Sequence, residues 1–171
     1  FKQMEYIEAK SIVNRNKGMN THYLATEYTM NIYRGCSHGC IYCFARGDYH
    51  KIENFDCIKV KKDALRIIRD DLRRKVLKGM VCTGGMSDPY NPLEQELKLS
   101  RYALELLYAF SFGICVITKS DLVTRDIDIL QDIREHSPVN VSFTITTADK
   151  ALCKKLEPHV ASSDERFQAL E

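Results

Sequence analysis

Three cysteines lie within eight residues, with the spacing Cys-x3-Cys-x2-Cys: Cys36, Cys40 and Cys43. Thiolates are soft ligands that suit zinc or iron–sulfur clusters. The segments between them are short enough for a folded loop to bring all three sulfurs together. Gly35 and Gly39 supply the backbone freedom that such a loop needs. The pattern therefore predicts a metal centre built on this loop.

Two kinds of metal centre fit three closely spaced cysteines. A structural zinc site is usually four-coordinate, and His38 or Cys57 could supply the fourth ligand. A catalytic metal instead keeps a position open for substrate or solvent. The chain has seven cysteines in 171 residues. Because a chain of this length can build its own core, we expect metal binding in a reducing, cytoplasmic compartment rather than a disulfide framework.

Glycine, carboxylate and lysine side chains follow two later predicted strands. In the segment Thr83–Asp88 (TGGMSD), the glycines let a ligand approach the backbone, and Asp88 offers an anion to an ammonium group. Lys119 directly follows an apolar run and can place its ammonium at the rim of a sheet, where a carboxylate or ribose could meet it. Taken singly, an ordinary turn and an exposed lysine explain these residues more simply.

Strands and helices are predicted to alternate along the chain. Period-2 or continuously apolar runs predict strands over residues 28–33, 79–84, 112–118 and 139–147. Ser142 lies on the polar face of the last of these strands. Four such strands with helices between them predict right-handed βαβ units and a parallel sheet. The ligand site is then expected beyond the carboxyl ends of the strands.

Apolar residues at helical spacing predict five helices. They cover residues 61–78 (with Val76 on the apolar face), 91 to about 110, the region of 127–133, 148–156, and a segment that starts near 162. Two capping boxes are expected, one from Asn91 with Glu94 and one from Ser162 with Glu165.

The charge of the chain excludes a wholly basic nucleic-acid binder, because 25 basic residues face 23 acidic ones. The segment from Lys59 to Lys78 is locally basic, with nine basic and three acidic residues. A phosphate-binding helix is one interpretation. The solvated face of an amphipathic helix is the simpler one. We expect no membrane span and find no signal peptide pattern.

The sequence NIYRGCSHGCIYCFAR, residues 31–46, resembles the cluster loop of the radical S-adenosylmethionine (SAM) enzymes. More narrowly, YRGCSHGCIYC, TGGMSDPYNPLE and ITKSDL together resemble the spore photoproduct lyase-like branch, which is often labelled DNA repair photolyase-related. The likeness spans most of residues 28–170. The cysteine motif is specific to the superfamily, and the other two motifs narrow the branch.

The resemblance implies two cofactors and their ligands. In that superfamily three cysteines in this spacing hold three irons of a 4Fe–4S cluster, and the fourth iron binds the amino and carboxylate groups of SAM. Cys36, Cys40 and Cys43 would then be the metal ligands. Eight further positions are implied in SAM binding: Tyr42 near the adenine, Gly84, Gly85, Ser87 and Asp88 at the amino group, Lys119, Ser142, and Arg166 at the carboxylate. No motif identifies a hydrogen donor.

The implied activity is reductive cleavage of SAM to a 5′-deoxyadenosyl radical, which abstracts hydrogen from a substrate. An electron donor such as flavodoxin or ferredoxin would be a partner, and the branch label implies lyase or repair chemistry on nucleic acid. The alternative is a non-catalytic zinc or iron–sulfur module that binds nucleic acid or protein. The sequence indicates neither the substrate nor the oligomeric state.

The implied fold is a partial (β/α) barrel with parallel strands. A radical SAM core usually comprises six βα units, and the sequence predicts about four. We therefore expect residues 1–171 to be such a core domain truncated at its C-terminus, with residues 1–27 as a lead-in segment. A truncated core is expected to turn over poorly or not at all.

Overall fold

The computed structural model describes residues 5–16, 26–47 and 51–171. The predicted lead-in segment, 1–27, lies partly outside these ranges. The described strands are β1 (Glu5–Ile7), β2 (Val13–Arg15), β3 (Tyr28–Met30), β4 (Tyr33–Arg34), β5 (Lys59–Lys61), β6 (Met80–Thr83), β7 (Gly113–Thr118) and β8 (Val139–Phe143). The described α-helices are α1 (Ala64–Arg74), α2 (Glu94–Leu97), α3 (Leu99–Ala109), α4 (Ile127–Arg134), α5 (Lys150–Leu156) and α6 (Ser163–Leu170).

The larger sheet has the strand order β2-β3-β6-β7-β8. Strands β3, β6, β7 and β8 run parallel, and β2 pairs antiparallel with β3 at one edge. The predicted α/β class with parallel strands is therefore confirmed. Since the parallel strands all end at one edge of the sheet, the loops after β6 and β7 begin side by side.

The first predicted strand, residues 28–33, is divided between two sheets. Tyr28–Met30 joins the larger sheet, whereas Tyr33–Arg34 pairs antiparallel with β5 in a smaller sheet of order β1-β5-β4. A hydrogen bond from the Lys61 N–H to the Ile32 carbonyl (3.1 Å) marks the crossing point. The sequence analysis did not predict β1, β2 or β5. The chain therefore enters the cysteine loop from the smaller sheet.

Two of the predicted helices have different limits in the structure. The helix expected over 61–78 is α1, which begins only after Asp63, at φ 53°, and ends at Arg74. Val76 was expected on its apolar face but is 92% exposed. The helix expected from residue 91 is divided into α2 and α3, because Lys98 has a left-handed φ of 51°.

One of the two expected capping boxes is absent and the other is confirmed. The carboxylate of Glu94 does not return to Asn91: it is buried, accepts hydrogen bonds from the Tyr33 hydroxyl and the Ser100 N–H (2.8 Å), and lies 3.2 Å from Arg125 Nη2. A fully buried carboxylate needs such partners, and they outweigh a terminal cap. Ser162 and Glu165 do form a reciprocal capping box at the start of α6.

The hydrophobic core lies between the larger sheet and helices α1, α3 and α4. Val81 of β6 and Ile114 of β7 pack there with Ile68, Leu107 and Ile133 from the three helices. Cys82 and Cys115 are register partners in β6 and β7 and are offset by one residue from Val81 and Ile114, so they point to the opposite face of the sheet. Within the described ranges, no helix has the length and apolar character needed to cross a membrane.

Five of the nine basic residues in the segment 59–78 lie within salt-bridge distance of an acidic neighbour. Arg66 lies within salt-bridge distance of Asp63 and Asp70, and Lys62 and Lys59 lie within that distance of Glu8 and Glu5. This pairing favours the solvated-face interpretation of the segment 59–78 over a phosphate-binding surface.

The buried carboxylate of Asp71 ties α1 to β2. Its Oδ2 accepts hydrogen bonds from the Ile12 N–H (2.7 Å), the Val13 N–H (3.0 Å) and the Ser11 hydroxyl (3.0 Å), while Oδ1 lies 2.9 Å from Arg74 Nη2. Burial by itself would raise the pKa of Asp71, but these hydrogen bonds outweigh it and hold the pKa below its ordinary value.

We predict that Asp71→Asn lowers the free energy of unfolding by about 1.5–3 kcal/mol, because charge-assisted hydrogen bonds to a buried carboxylate are lost. Asp70→Asn, on the exposed side of the same helix, is the matched control and should change the stability by less than about 0.5 kcal/mol. Urea unfolding at pH 7 measures both. Equal losses in the two variants would contradict the assignment.

The same contact predicts a pH dependence. An aspartate in an unfolded chain titrates near a pKa of about 3.9, and Asp71 titrates lower in the fold. Its ionised form therefore stabilises the fold above about pH 4, and that contribution is lost as the pH falls through the folded-state pKa. The stability difference between wild type and Asp71→Asn should shrink over this range.

Candidate functional site

The cysteine loop follows β4, and hydrogen bonds with two other segments fix its start. The Cys36 N–H donates to the Phe55 carbonyl (2.8 Å), and the Ser87 hydroxyl donates to the Gly35 carbonyl (2.5 Å). Gly35 has φ +82°, and a Cβ there would lie 2.6 Å from the Phe55 carbonyl oxygen. Only glycine fits this position without displacing the backbone. The turn before the first cysteine is therefore required by the fold.

A cavity of about 250 Å³ opens at the carboxyl ends of β6 and β7, beside this loop. Nine of the eleven residues that the sequence analysis selected line it. They are Cys36, Cys40, Tyr42, Cys43, Gly84, Gly85, Ser87, Asp88 and Lys119. The sequence analysis did not assign Phe44, Ala45, Phe55, Met86, Ile117, Thr118 or Thr144 to the site, although they also line the cavity. Most of these are apolar, and their types carry no signal of a site.

The three cysteines differ in burial but share one cavity. Cys40 is buried, while Cys36 and Cys43 are partly exposed. Burial raises the pKa of the Cys36 thiol to about 11 and also raises the pKa of Cys40. Because thiolates are the metal-binding form, metal binding here would release protons. In the parts of the chain that the structure describes, no three Cys, His, Asp or Glu side chains converge on one ion position. The three cysteines line one cavity, and their soft thiolates are the kind of ligand that an iron–sulfur cluster takes, so the residues present fit such a group.

Asp88 joins the three segments that form the cavity. Its Oδ1 accepts hydrogen bonds from the Tyr90 N–H (2.9 Å) and the Thr118 hydroxyl (2.7 Å), and its Oδ2 accepts one from the Lys119 N–H (2.8 Å). His38 Nδ1 of the cysteine loop lies 3.5 Å from Oδ2. Burial lowers the pKa of His38, so its imidazole is neutral near pH 7. Three of the roughly four acceptor positions of Asp88 are used within the protein, and His38 lies beside the fourth.

The two glycines after β6 have different functions in the fold. Gly84 has φ +105°, and a Cβ there would lie 1.9 Å from the Ile117 carbonyl oxygen of β7. Gly85 has no atom within 4 Å of its Cβ position. Packing of the sheet therefore requires glycine at 84, whereas glycine at 85 leaves open space in the cavity.

Lys119 and Tyr42 face each other across the cavity. The Lys119 ammonium lies 5.8 Å from the centroid of the Tyr42 ring, within the range of a cation–π contact. The Tyr42 hydroxyl donates a hydrogen bond to Glu157, which lies between α5 and α6. Burial would raise the pKa of Glu157, but its hydrogen bonds with Tyr42 and Arg166 outweigh this and lower it, so the carboxylate is charged.

Ser142 and Arg166 do not line the cavity. The Ser142 hydroxyl donates to Asn140 Oδ1 (2.7 Å). Arg166 is fully buried, and its guanidinium donates to Glu157 Oε2 (2.6 Å) and to the Thr144 carbonyl (2.5 Å). A desolvated guanidinium requires a carboxylate partner, which explains why Arg166 points to Glu157 instead of the cavity. Sequence reasoning missed Glu157, because its contact with Tyr42 joins residues 115 positions apart.

The sequence model of the Radical SAM superfamily matches residues 30–171. An uncharacterized protein of Methanocaldococcus jannaschii is 31% identical over 169 residues, which are 96% of this chain and 60% of the relative. An uncharacterized protein of Mycobacterium tuberculosis is 32% identical over 149 residues, which are 83% of this chain and 44% of the relative. The chain thus spans less than two thirds of either relative. It belongs to the radical SAM superfamily.

Two solved structures of spore photoproduct lyase share the fold. One, complexed with dinucleoside spore photoproduct, aligns with a TM-score of 0.65 at 16% identity and covers 96% of this chain and 46% of that chain. Another, a variant with bound S-adenosylmethionine and the same dinucleoside, gives 0.63 at 19% identity and covers 86% and 42%. These similarities concern the fold.

We predict that Gly84→Ala and Gly85→Ala differ in stability. The methyl group that Gly84→Ala adds must displace the Ile117 carbonyl, and the alanine backbone must keep a positive φ. The Gly84→Ala variant should therefore lose at least about 1–3 kcal/mol of unfolding free energy. Gly85→Ala should unfold within about 1 kcal/mol of wild type, because its added methyl meets open space. Thermal unfolding measures both. Similar midpoints for the two variants would contradict the assigned contacts.

Proposed function

We propose that this radical SAM chain binds a 4Fe–4S cluster and SAM in the cavity at the ends of β6 and β7 and uses them for radical chemistry. The observation that carries the proposal is the convergence of the three cysteines with the glycine, carboxylate and lysine residues of two distant segments on one cavity. When bound, the reduced cluster supplies an electron that cleaves SAM to methionine and a 5′-deoxyadenosyl radical, which abstracts hydrogen from the substrate.

The cysteine loop would hold the cluster through Cys36, Cys40 and Cys43. The φ of +71° at Gly39, between the first two, turns the loop against Pro158 and His159. Three thiolates in one loop would leave a fourth iron of such a cluster without a protein ligand. A ligand with an amino and a carboxylate group could bind that iron only because its position is open.

The remaining cavity residues would bind SAM. Lys119 supplies a cation for a carboxylate or ribose, and Asp88 supplies an acceptor for an ammonium group. Gly85 leaves space beside the backbone, Gly84 and Ser87 shape the wall, and the Tyr42 ring offers a flat apolar face. Since Ser142 and Arg166 lie outside the cavity lining, we assign neither of them a contact with SAM.

We extend the proposal to architecture and substrate class. The chain would form about four βα units of a six-unit partial barrel, within one core domain. A lyase or repair reaction on nucleic acid in a reducing, cytoplasmic setting, with a flavodoxin or ferredoxin as the electron donor, is the finer proposal. The spore photoproduct lyase structures that share this fold contain a dinucleoside, which supports a nucleotide-like substrate.

We predict that this core, tested within a complete six-unit barrel, converts SAM to 5′-deoxyadenosine after anaerobic reconstitution with iron and sulfide and reduction with dithionite. Cys40→Ala should lower iron content and reduce product at least about 100-fold, because one cluster ligand is lost. Cys57→Ala is the matched control: Cys57 is exposed and outside the cavity lining, so iron and product should be retained. Iron analysis and mass spectrometry of the nucleoside are the measurements.

Two outcomes would contradict the proposal. Colourless protein that takes up zinc tightly and assembles no iron–sulfide centre would favour the non-catalytic metal module. Iron-loaded protein that binds SAM yet never cleaves it, also when tested as the full-length protein, would exclude the enzymatic function.

A further inference from the structure

We propose that Glu157 is a positioning residue that holds the Tyr42 ring at the cavity wall in the orientation that receives SAM. The inference rests on the proposed function, since it assigns a role to residues around the same cavity. It concerns two groups, Glu157 and Arg166, that do not line the cavity themselves.

The first observation is a buried chain of polar contacts that ends on Tyr42. Arg166 is 0% exposed and Glu157 is 2% exposed, and Arg166 Nη2 donates to Glu157 Oε2 at 2.6 Å. The other oxygen, Oε1, accepts the hydrogen bond from the Tyr42 hydroxyl. Arg166 Nη2 also lies 3.0 Å from Cys153 Sγ, and Nη1 donates to the Thr144 carbonyl. These contacts fix the orientation of the Glu157 carboxylate that accepts the hydrogen bond from Tyr42.

The second observation is that the same segment holds the loop backbone between the cysteines. The Ile41 N–H donates to the Leu156 carbonyl (3.0 Å), and the His159 N–H donates to the His38 carbonyl (3.2 Å). The segment 156–159 therefore contacts residues 38–42 through two backbone hydrogen bonds and one side chain. Tyr42 is tied at its hydroxyl to the segment that orients its own backbone.

The third observation is that Tyr42 is half-exposed, at 46%, and directly precedes Cys43 in the loop. A tyrosine fixed at its hydroxyl loses its rotamer freedom before a ligand arrives, so less of the binding energy is spent on ordering it. One face of the ring already meets the Lys119 ammonium in the cavity.

A buried ion pair contributes little to net stability, because desolvation offsets the attraction between its charges. The Arg166–Glu157 pair is therefore poorly explained as a stabilising contact alone. Its geometric result is a charged carboxylate oxygen aimed at a half-exposed tyrosine beside the third cysteine. Positioning of that tyrosine accounts for both the pair and its location.

The test compares Tyr42→Phe, which removes only the hydroxyl, with Tyr102→Phe, an exposed tyrosine of α3 that is 44% exposed. The first readout is hydrogen exchange of the amides of residues 38–46 in the purified protein without cofactors. The second is the SAM dissociation constant of cluster-loaded protein. We expect Tyr42→Phe to speed loop exchange several-fold. It should raise the dissociation constant about tenfold, because the ring must then be ordered when SAM binds. Its iron content should match wild type, and Tyr102→Phe should change neither readout.

Glu157→Gln is the second variant, because it keeps the side-chain volume while removing the charge that fixes Arg166. It should speed exchange in residues 38–46 as Tyr42→Phe does. Unchanged loop exchange and unchanged SAM affinity in Tyr42→Phe would overturn the inference. A uniform increase of exchange over the whole chain in Tyr42→Phe would overturn it as well. A wild type that binds no SAM would instead contradict the proposed function, and the cofactor-free exchange data would still decide the role of the Glu157 contact.

Discussion

A loop that presents three thiolates to one cavity has little regular secondary structure, so other parts of the fold must impose its shape. In this chain two buried carboxylates provide much of that constraint. Asp88 joins the loop after β6 to the end of β7 and approaches His38. Glu157 joins the opposite side of the loop to the C-terminal helices through Tyr42 and Arg166. The cysteine loop lies between these two anchors, and the cavity depends on both.

The parallel sheet explains why distant segments meet at this place. Strands β6 and β7 end at the same edge, and the close approach of Gly84 to the Ile117 carbonyl sets the distance between their loops. Each loop contributes a different chemistry: glycine and carboxylate after β6, and an ammonium group after β7. The smaller sheet then delivers the thiolates from a third direction, since β4 leads directly into Gly35.

Short-range patterns predicted the parts of the fold whose causes are local. The strands at 80–83 and 113–118 follow from apolar runs, and the Ser162 cap follows from a four-residue motif. The proximity of Asp88 and Lys119 could be predicted because parallel strands share an edge and both motifs directly follow such strands. The same rule was applied to the cysteines, but their loop follows β4 of the smaller sheet. The motif resemblance supplied the cofactors, which residue types alone left open between zinc and a cluster.

Contacts between distant residues were beyond the reach of the sequence. Residues 28–34 divide between two sheets because β5 pairs with Tyr33. No local sequence pattern predicts this strand pairing. Glu94 has the spacing of a cap but serves a buried network with Tyr33 and Arg125. Arg166 has the expected place in the chain, but it is fully buried and its guanidinium donates to Glu157. In each case desolvation of a polar group, which no local pattern records, decides its partner.

Cofactor binding in this cavity can be tested with the electron paramagnetic resonance spectrum of the reduced, iron-loaded protein, recorded before and after addition of SAM. We expect a 4Fe–4S signal whose g-values shift on saturation with SAM, because the amino acid part of SAM would bind the one iron that lacks a thiolate. A cluster signal that saturating SAM leaves unchanged would contradict it, since the cavity would then hold a closed, purely structural centre.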